Sequence, residues 1–161
     1  MECEGRFDVF SGRLAALASA HNLLTASTWE SAELGQLLRT TLAATAGLDI
    51  ARCSSRGPPV ILPPQTAVAA AMLIHELATN AIKYGALSNS EGKIDIRWSL
   101  SGEPGAEVLT LDWMEHGGPK VAEPERHGFG TRLIRRGLGG PGEVRLQWQA
   151  DGLQCRIEAR L

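Results

Sequence analysis

Apolar positions along the chain change their period, and each change marks an element. Between Phe7 and Leu24, the residues Phe7, Phe10, Leu14, Leu17 and Leu24 recur on alternating three- and four-residue steps. That is the seam of a coiled coil or helix bundle, and His21 takes the remaining seam position. The polar stretch from Thr25 to Ser31 breaks this helix, and Ser27 with Glu30 has the spacing of a capping box. A second helix follows, with Leu34, Leu37, Leu38, Thr41, Leu42 and Thr45 on one face, and Gly47 ends it. From Leu48 to Pro64 the apolar pieces are short and punctuated by Gly57, Pro58, Pro59 and Pro63, which predicts one or two short strands and a turn. Pro64 suits the first position of a third helix, running to about Tyr84 and closed by Gly85.

Period two then takes over. Ile94, Ile96, Trp98 and Leu100 share one strand face; Leu109, Leu111 and Trp113 share the next. Val144, Leu146 and Trp148 follow, and then Leu153, Cys155, Ile157, Ala159 and Leu161, with Ala150, Asp151 and Gly152 as the hairpin between these last two strands. Alternation with a polar partner face predicts a mostly antiparallel sheet covered on one side. A glycine-rich loop, Gly117 to Gly130, and a short helix, Thr131 to Leu138, lie between the second and third of these strands. Helices are the remaining elements, so they form the cover. The expected class is α+β: a two-layer sandwich preceded by a helical segment.

Composition narrows the function classes. The 161 residues suit one domain plus a small helical appendage, here residues 1–46 ahead of residues 47–161. A formal net charge of -2 supplies no basic field for nucleic acid. Cys3, Cys53 and Cys155 form neither a disulfide framework nor a zinc spacing, which points to a reducing, cytoplasmic setting. No apolar run approaches the roughly 18 residues of a membrane helix, and no signal peptide is visible.

Three places carry candidate chemistry. On the third helix, Ala67, Ala70, Ala71, Ile74, Leu77, Ala78 and Ala81 form an apolar face, and Glu76, Asn80 and Lys83 make one stripe at i, i+4 and i+7 nearly opposite. A carboxylate, an amide oxygen and an ammonium in line suit a magnesium-bound triphosphate; a solvated helix face has the same spacing. Glu115 falls on the core face of its strand beside Gly117 and Gly118. A carboxylate there either meets a donor, such as a purine amine, or sits on a frayed, solvated strand end. Gly128-Phe129-Gly130 opens a helix with Thr131 next, where free N–H groups attract phosphate; the same string also reads as an ordinary turn.

The order of these signals is distinctive. The string from His75 to Gly85, HELATNAIKYG, closely resembles the N-box of GHKL-type ATPases. Trp113-Met114-Glu115 with Gly117-Gly118 resembles their first glycine box, with Glu in place of the usual Asp, and Gly128-Phe129-Gly130-Thr131-Arg132-Leu133-Ile134 resembles the second. A histidine opening the N-box together with W-x-E is the mark of the HWE subfamily of sensor histidine kinases. Residues 12–17 and 20–24 look like that family's second dimerisation helix. The resemblance implies a Bergerat-type fold that holds Mg-ATP. It implies Asn80 as magnesium ligand with Glu76 beside it, and Glu76 also as the acid that polarises a water or assists phosphoryl transfer. Lys83 falls on phosphate, Tyr84 borders the nucleotide, and Glu115 accepts from the adenine amine. Gly117, Gly128 and Gly130 shape the lid and phosphate loop, Thr131 touches the phosphates, and Gly118 and Phe129 belong with them to the nucleotide-binding set. His75, off the Glu76 stripe, reads as a structural or supporting residue, and His116 and His127 flank the lid.

The family's acidic-His-Arg phosphoacceptor motif is absent, and a seam residue such as His21 is too packed to replace it. The chain therefore reads as a second dimerisation helix plus an ATP-binding catalytic domain. Its acceptor histidine would lie on a helix outside it, with a response-regulator receiver domain next in line and a homodimer as the family habit. Two other readings stand beside the kinase: a module that docks a regulator without catalysis, and a GHKL serine kinase. The intact Glu76, Asn80 and Lys83 set opposes the first, and the W-x-E motif opposes the second.

Overall fold

The computed structural model describes residues 13, 14, 17, 18, 31–123 and 129–161. Phe7, Phe10, His21 and Leu24 of the expected seam helix, the Ser27–Glu30 capping box, His127 and Gly128 lie outside the described residues. Arg13, Leu14, Leu17 and Ala18 are helical. Leu14 and Leu17 remain 50% and 44% exposed, so the described surface does not cover that part of the seam.

Two helices and a sheet enclose one core. Helix α1 (Leu34–Ala46) is capped by Glu33, whose carboxylate accepts from the amides of Gly35 and Gln36 at 2.8 and 2.7 Å. A negative charge at this end complements the helix dipole as well as its orphan N–H groups. Gly47 ends α1 at φ 55°, a left-handed conformation that glycine adopts without a Cβ penalty. Helix α2 (Pro64–Lys83) begins with Pro64 as expected. It buries Ala67, Ala70, Ala71, Ile74, Leu77, Ala78 and Ala81, the apolar face read from the sequence, and Leu73 besides. The helix is covered on more than one side, because α1 packs on it as well.

The strands are β1 (Ala32–Glu33), β2 (Cys53–Arg56), β3 (Ile61–Leu62), β4 (Lys93–Ser101), β5 (Val108–His116), β6 (Gly142–Gln149) and β7 (Gly152–Arg160). The main sheet runs β2-β4-β5-β7-β6. Only β2 and β4 pair in parallel; the other neighbours are antiparallel. That parallel pair is joined across α2, as parallel strands must be by a long crossover. β1 and β3 form a separate two-stranded antiparallel ribbon at the start of α1. Ile94, Ile96, Leu109, Leu111, Trp113, Cys155 and Ile157 are at most 1% exposed, so the alternating residues do face the helices. The class is the expected α+β sandwich with a mixed, mostly antiparallel sheet.

Helix α3 spans Phe129–Arg135 rather than Thr131 to Leu138. Its end is set by a turn in which the amide of Gly137, at φ 60°, donates to Ile134. Leu34, Leu37, Leu38, Leu42 and Ala46 of α1 belong to the same buried cluster as α2 and the sheet. Cys53 and Cys155 are free thiols, pushed up by burial to about 11 and about 12, so both stay protonated at neutral pH.

Candidate functional site

A cavity of about 880 Å³ opens between α2, the end of β5, α3 and the β6–β7 hairpin. That is a generous size for a drug-sized or nucleotide-sized ligand. Glu76, Asn80, Lys83, Tyr84, Glu115, Gly130 and Thr131 all line it, so the structure brings together residues spread over more than fifty positions. Gly117 and Gly118 do not line it. Of Phe129, the backbone opens α3.

Glu115 sits at one end. It is 2% exposed, so β5 does not fray. Its Oε1 accepts from the indole Nε1 of Trp113 at 3.1 Å, and its Oε2 from the amide of Ala86 at 2.9 Å. Burial pushes the Glu115 carboxyl above its ordinary range, while the amide of Ala86, the indole of Trp113 and the amide of Leu153 pull it back. The loop after α2 is shaped around this carboxylate. A Cβ at Gly85 would stand 2.2 Å from Glu115 Oε2. Gly85 has φ −109°, so glycine is needed there for space and not for backbone freedom. Gly118 supports the same loop from behind: its Cβ would fall 2.7 Å from Ala86 Cα, and its amide donates to Asp151 O at 3.0 Å. Gly117 turns at φ 68° and accepts from the Asn89 amide nitrogen at 2.9 Å.

The helix stripe forms the other end. Glu76 is 5% exposed, and Arg13 reaches it from the N-terminal helical segment, Nε to Oε1 at 2.5 Å. A Cβ at Gly130 would stand 2.5 Å from Glu76 Oε2, so α3 approaches the second carboxylate oxygen closely. Asn80 is half-buried, and Lys83 and Tyr84 stand exposed at the rim. The C-terminal carbonyl of this turn is used internally, since Asn80 O accepts from the amides of Tyr84 and Gly85 at 2.8 and 3.1 Å. The Asn80 side chain is thereby set on the last turn of the helix, at the cavity wall.

His75 supports α1 as well as lining the wall. Its Nδ1 lies 3.0 Å from Thr45 Oγ1, and that hydroxyl already donates to Thr41 O at 2.8 Å. The hydroxyl therefore receives from Nδ1–H, leaving the lone pair on Nε2. Burial holds His75 below its ordinary value, with Glu76 raising it and Arg13 lowering it, which favours the neutral ring. His116, expected beside the lid, is placed elsewhere: it approaches Asp95 at 3.7 Å and Asp151 at 4.0 Å, and it does not line the cavity. Strand alternation accounts for this, because Glu115 faces the core and its neighbour must face away.

Sequence reasoning missed the cavity's apolar wall and Arg13. Val121, Ala122, Ile134, Leu146, Trp148 and Leu153 contribute to the wall. Trp148 and Leu153 are register partners across the final hairpin, so they stand side by side. Their alternation was visible; that the apolar residues of the edge strand β6 are left half-covered was not. Chemically, the cavity offers an apolar wall and a buried acceptor at one end, and hard oxygens with an ammonium at the other. No cluster of three or more His, Cys, Asp and Glu side chains occurs among the described residues. A metal here would depend on a few oxygens plus ligand and water, a donor set that fits Mg2+ better than softer ions.

Comparison with known proteins bears on the family and the fold. The histidine kinase domain of a blue-light activated histidine kinase from Erythrobacter litoralis superposes with a TM-score of 0.69 at 19% identity, over 94% of this chain and 74% of that one. The catalytic domain of histidine kinase ThkA superposes at 0.55 and 14% identity, over 81% of this chain and 95% of that one. A family model described as HWE histidine kinase matches residues 2–59. The blue-light-activated histidine kinase of Brucella ovis is 40% identical over 126 residues, 78% of this chain and 26% of that protein. This chain belongs to the HWE histidine kinases. The protein of the same description from Brucella anthropi is 35% identical over 156 residues, which is 94% of this HWE chain and 31% of that relative. The chain thus spans between a quarter and a third of the length of these curated relatives. The shared fold is that of the histidine kinase catalytic domain, and no described helix is long and apolar enough to cross a membrane.

Proposed function

We propose that this HWE chain is the ATP-binding catalytic module of a sensor histidine kinase. The γ-phosphoryl group would pass to a histidine outside the chain and then to a response-regulator aspartate. One observation carries the reading: Glu76, Asn80 and Lys83, in line along α2, face the same cavity whose far end is the buried acceptor Glu115. Glu115 takes the adenine amine, Trp148 and Leu153 supply an apolar wall for the ring, and Tyr84 covers the rim. Lys83 and Thr131 meet the phosphates, with Gly130 letting backbone approach closely. The side-chain oxygen of Asn80, with the Glu76 carboxylate beside it, holds Mg2+, which neutralises triphosphate charge when bound. Phosphoryl transfer needs positioning and charge stabilisation more than covalent chemistry, and these residues supply both.

The docking-only alternative draws on the Arg13–Glu76 pair, which occupies the carboxylate expected to assist transfer. Calorimetric titration with ATP, with and without Mg2+, separates the two. The expected result is Mg2+-dependent binding that Asn80→Ala loses, by about tenfold or more for a lost metal ligand. Binding that ignores Mg2+ in the unsubstituted chain would leave the docking module.

A further inference from the structure

We propose that Trp113 is a positioning residue for base selection: its indole N–H holds Glu115 as an acceptor-only carboxylate, so that the cavity admits bases presenting an N–H and rejects those presenting a carbonyl. This rests on the nucleotide-binding reading above and adds the residue that sets its specificity.

The geometry is local. W-x-E on β5 puts both side chains on one strand face, and the indole Nε1 reaches Glu115 Oε1 at 3.1 Å. Trp113 is fully buried and does not line the cavity, so it acts on a ligand only through Glu115. Its register partners, Ile96 on β4 and Cys155 on β7, flank it in the sheet. A carboxylate offers about four lone-pair directions. Trp113 fills one and the amide of Ala86 a second, with the amide of Leu153 near enough to favour the ionised form. The remaining directions are for donors in the cavity that Glu115 lines.

The choice of side chain matters. Indole donates and cannot accept, so it favours the ionised carboxylate and cannot take a proton from it. Tyrosine or histidine would do both. Burial alone drives this carboxyl toward its protonated form, which carries an O–H donor and would tolerate a base carbonyl. An acceptor-only group held by two fixed donors discriminates sharply between an amine and a carbonyl at the same ring position.

The test compares ATP with inosine triphosphate, which has a carbonyl in place of the exocyclic amine and a hydrogen on the adjacent ring nitrogen. The unsubstituted chain should prefer ATP by at least about 100-fold. In Trp113→Phe the ratio should fall by about tenfold or more, through weaker ATP binding with inosine triphosphate little changed. Trp98→Phe is the control, since its indole donates to Pro58 O at 2.8 Å on another part of the sheet; its ratio should stay put. Equal weakening of both nucleotides in Trp113→Phe, or no change in either, overturns the proposal. If Trp113→Phe melts below the assay temperature, 3-benzothienylalanine at Trp113 keeps the shape and replaces N–H by sulfur, and the same ratio decides. A chain without adenine preference, or a Glu115→Ala variant that keeps it, would instead sink the nucleotide reading itself.

Discussion

At the Glu115 end of the cavity, the chain's own donors already engage the functional group: an indole and an amide of the α2–β4 loop both hydrogen-bond one carboxylate. At the Asn80 end, Lys83 and Tyr84 stand in solvent, and Glu76 is held by an arginine from another segment. The difference lies in which elements build each end. Neighbouring strands of one sheet fix Glu115, with little freedom left. The Asn80 end gathers a helix terminus, the start of α3 and the N-terminal helical segment, which come from separate stretches of the chain. On the nucleotide reading proposed above, selection of the base is preorganised, and engagement of the phosphates waits for a partner or ligand to complete it.

The sharpest way to break this contrast is Gly85→Val. A side chain there meets Glu115 Oε2 and Ala81 Cα, at 2.2 and 3.0 Å from the Cβ position, so the preorganised end must open. ATP affinity should fall about 100-fold, measured by titration, as expected for displacing a buried hydrogen-bonded carboxylate. An affinity within a factor of three of the original would mean that this end is as pliant as the other. Arg13→Ala probes the phosphate end. Freed of its guanidinium, Glu76 becomes an unpaired buried carboxylate; the melting temperature of the ligand-free chain should drop, and Mg2+ should restore it more than in the unsubstituted chain. The Mg2+-dependent part of ATP affinity should rise about fivefold; no change in either quantity would show that the pair is incidental. The smallest effect is on pH. The folded Glu115 carboxyl titrates above its unfolded value of about 4.3, so the folded state holds that proton more tightly. Stability contributed by Glu115 is then present at low pH and falls as pH rises from about 4.3 through the folded value. Melting curves of Glu115→Gln against the original chain should show a shallower decline over that window.

Much of the fold was legible because its signals are local. Alternation over Ile94–Leu100 and Leu153–Leu161 fixed the buried faces, and Pro64 and Gly47 marked helix ends by backbone chemistry alone. The stripe Glu76, Asn80 and Lys83 followed from helical spacing and does line one cavity with Glu115. The remainder depended on distance in sequence. Glu33 caps α1 from the end of β1, and no local pattern in the sequence announces a glutamate in that role. Gly85 looked like a helix stop, and its demand for space is seen only once Glu115 arrives from thirty residues away. Arg13 and Glu76 are 63 residues apart, and no periodicity joins them. The parallel pairing of β2 on β4 likewise needs α2 in place first.

The shared core of α1 has a practical corollary for anyone taking scissors to this polypeptide. A cut at residue 46 would strip Leu34, Leu37, Leu38 and Leu42, each at most 2% exposed, from the back of α2 and leave a greasy trench where they lay. The smallest portable version of this module begins ahead of Ala32.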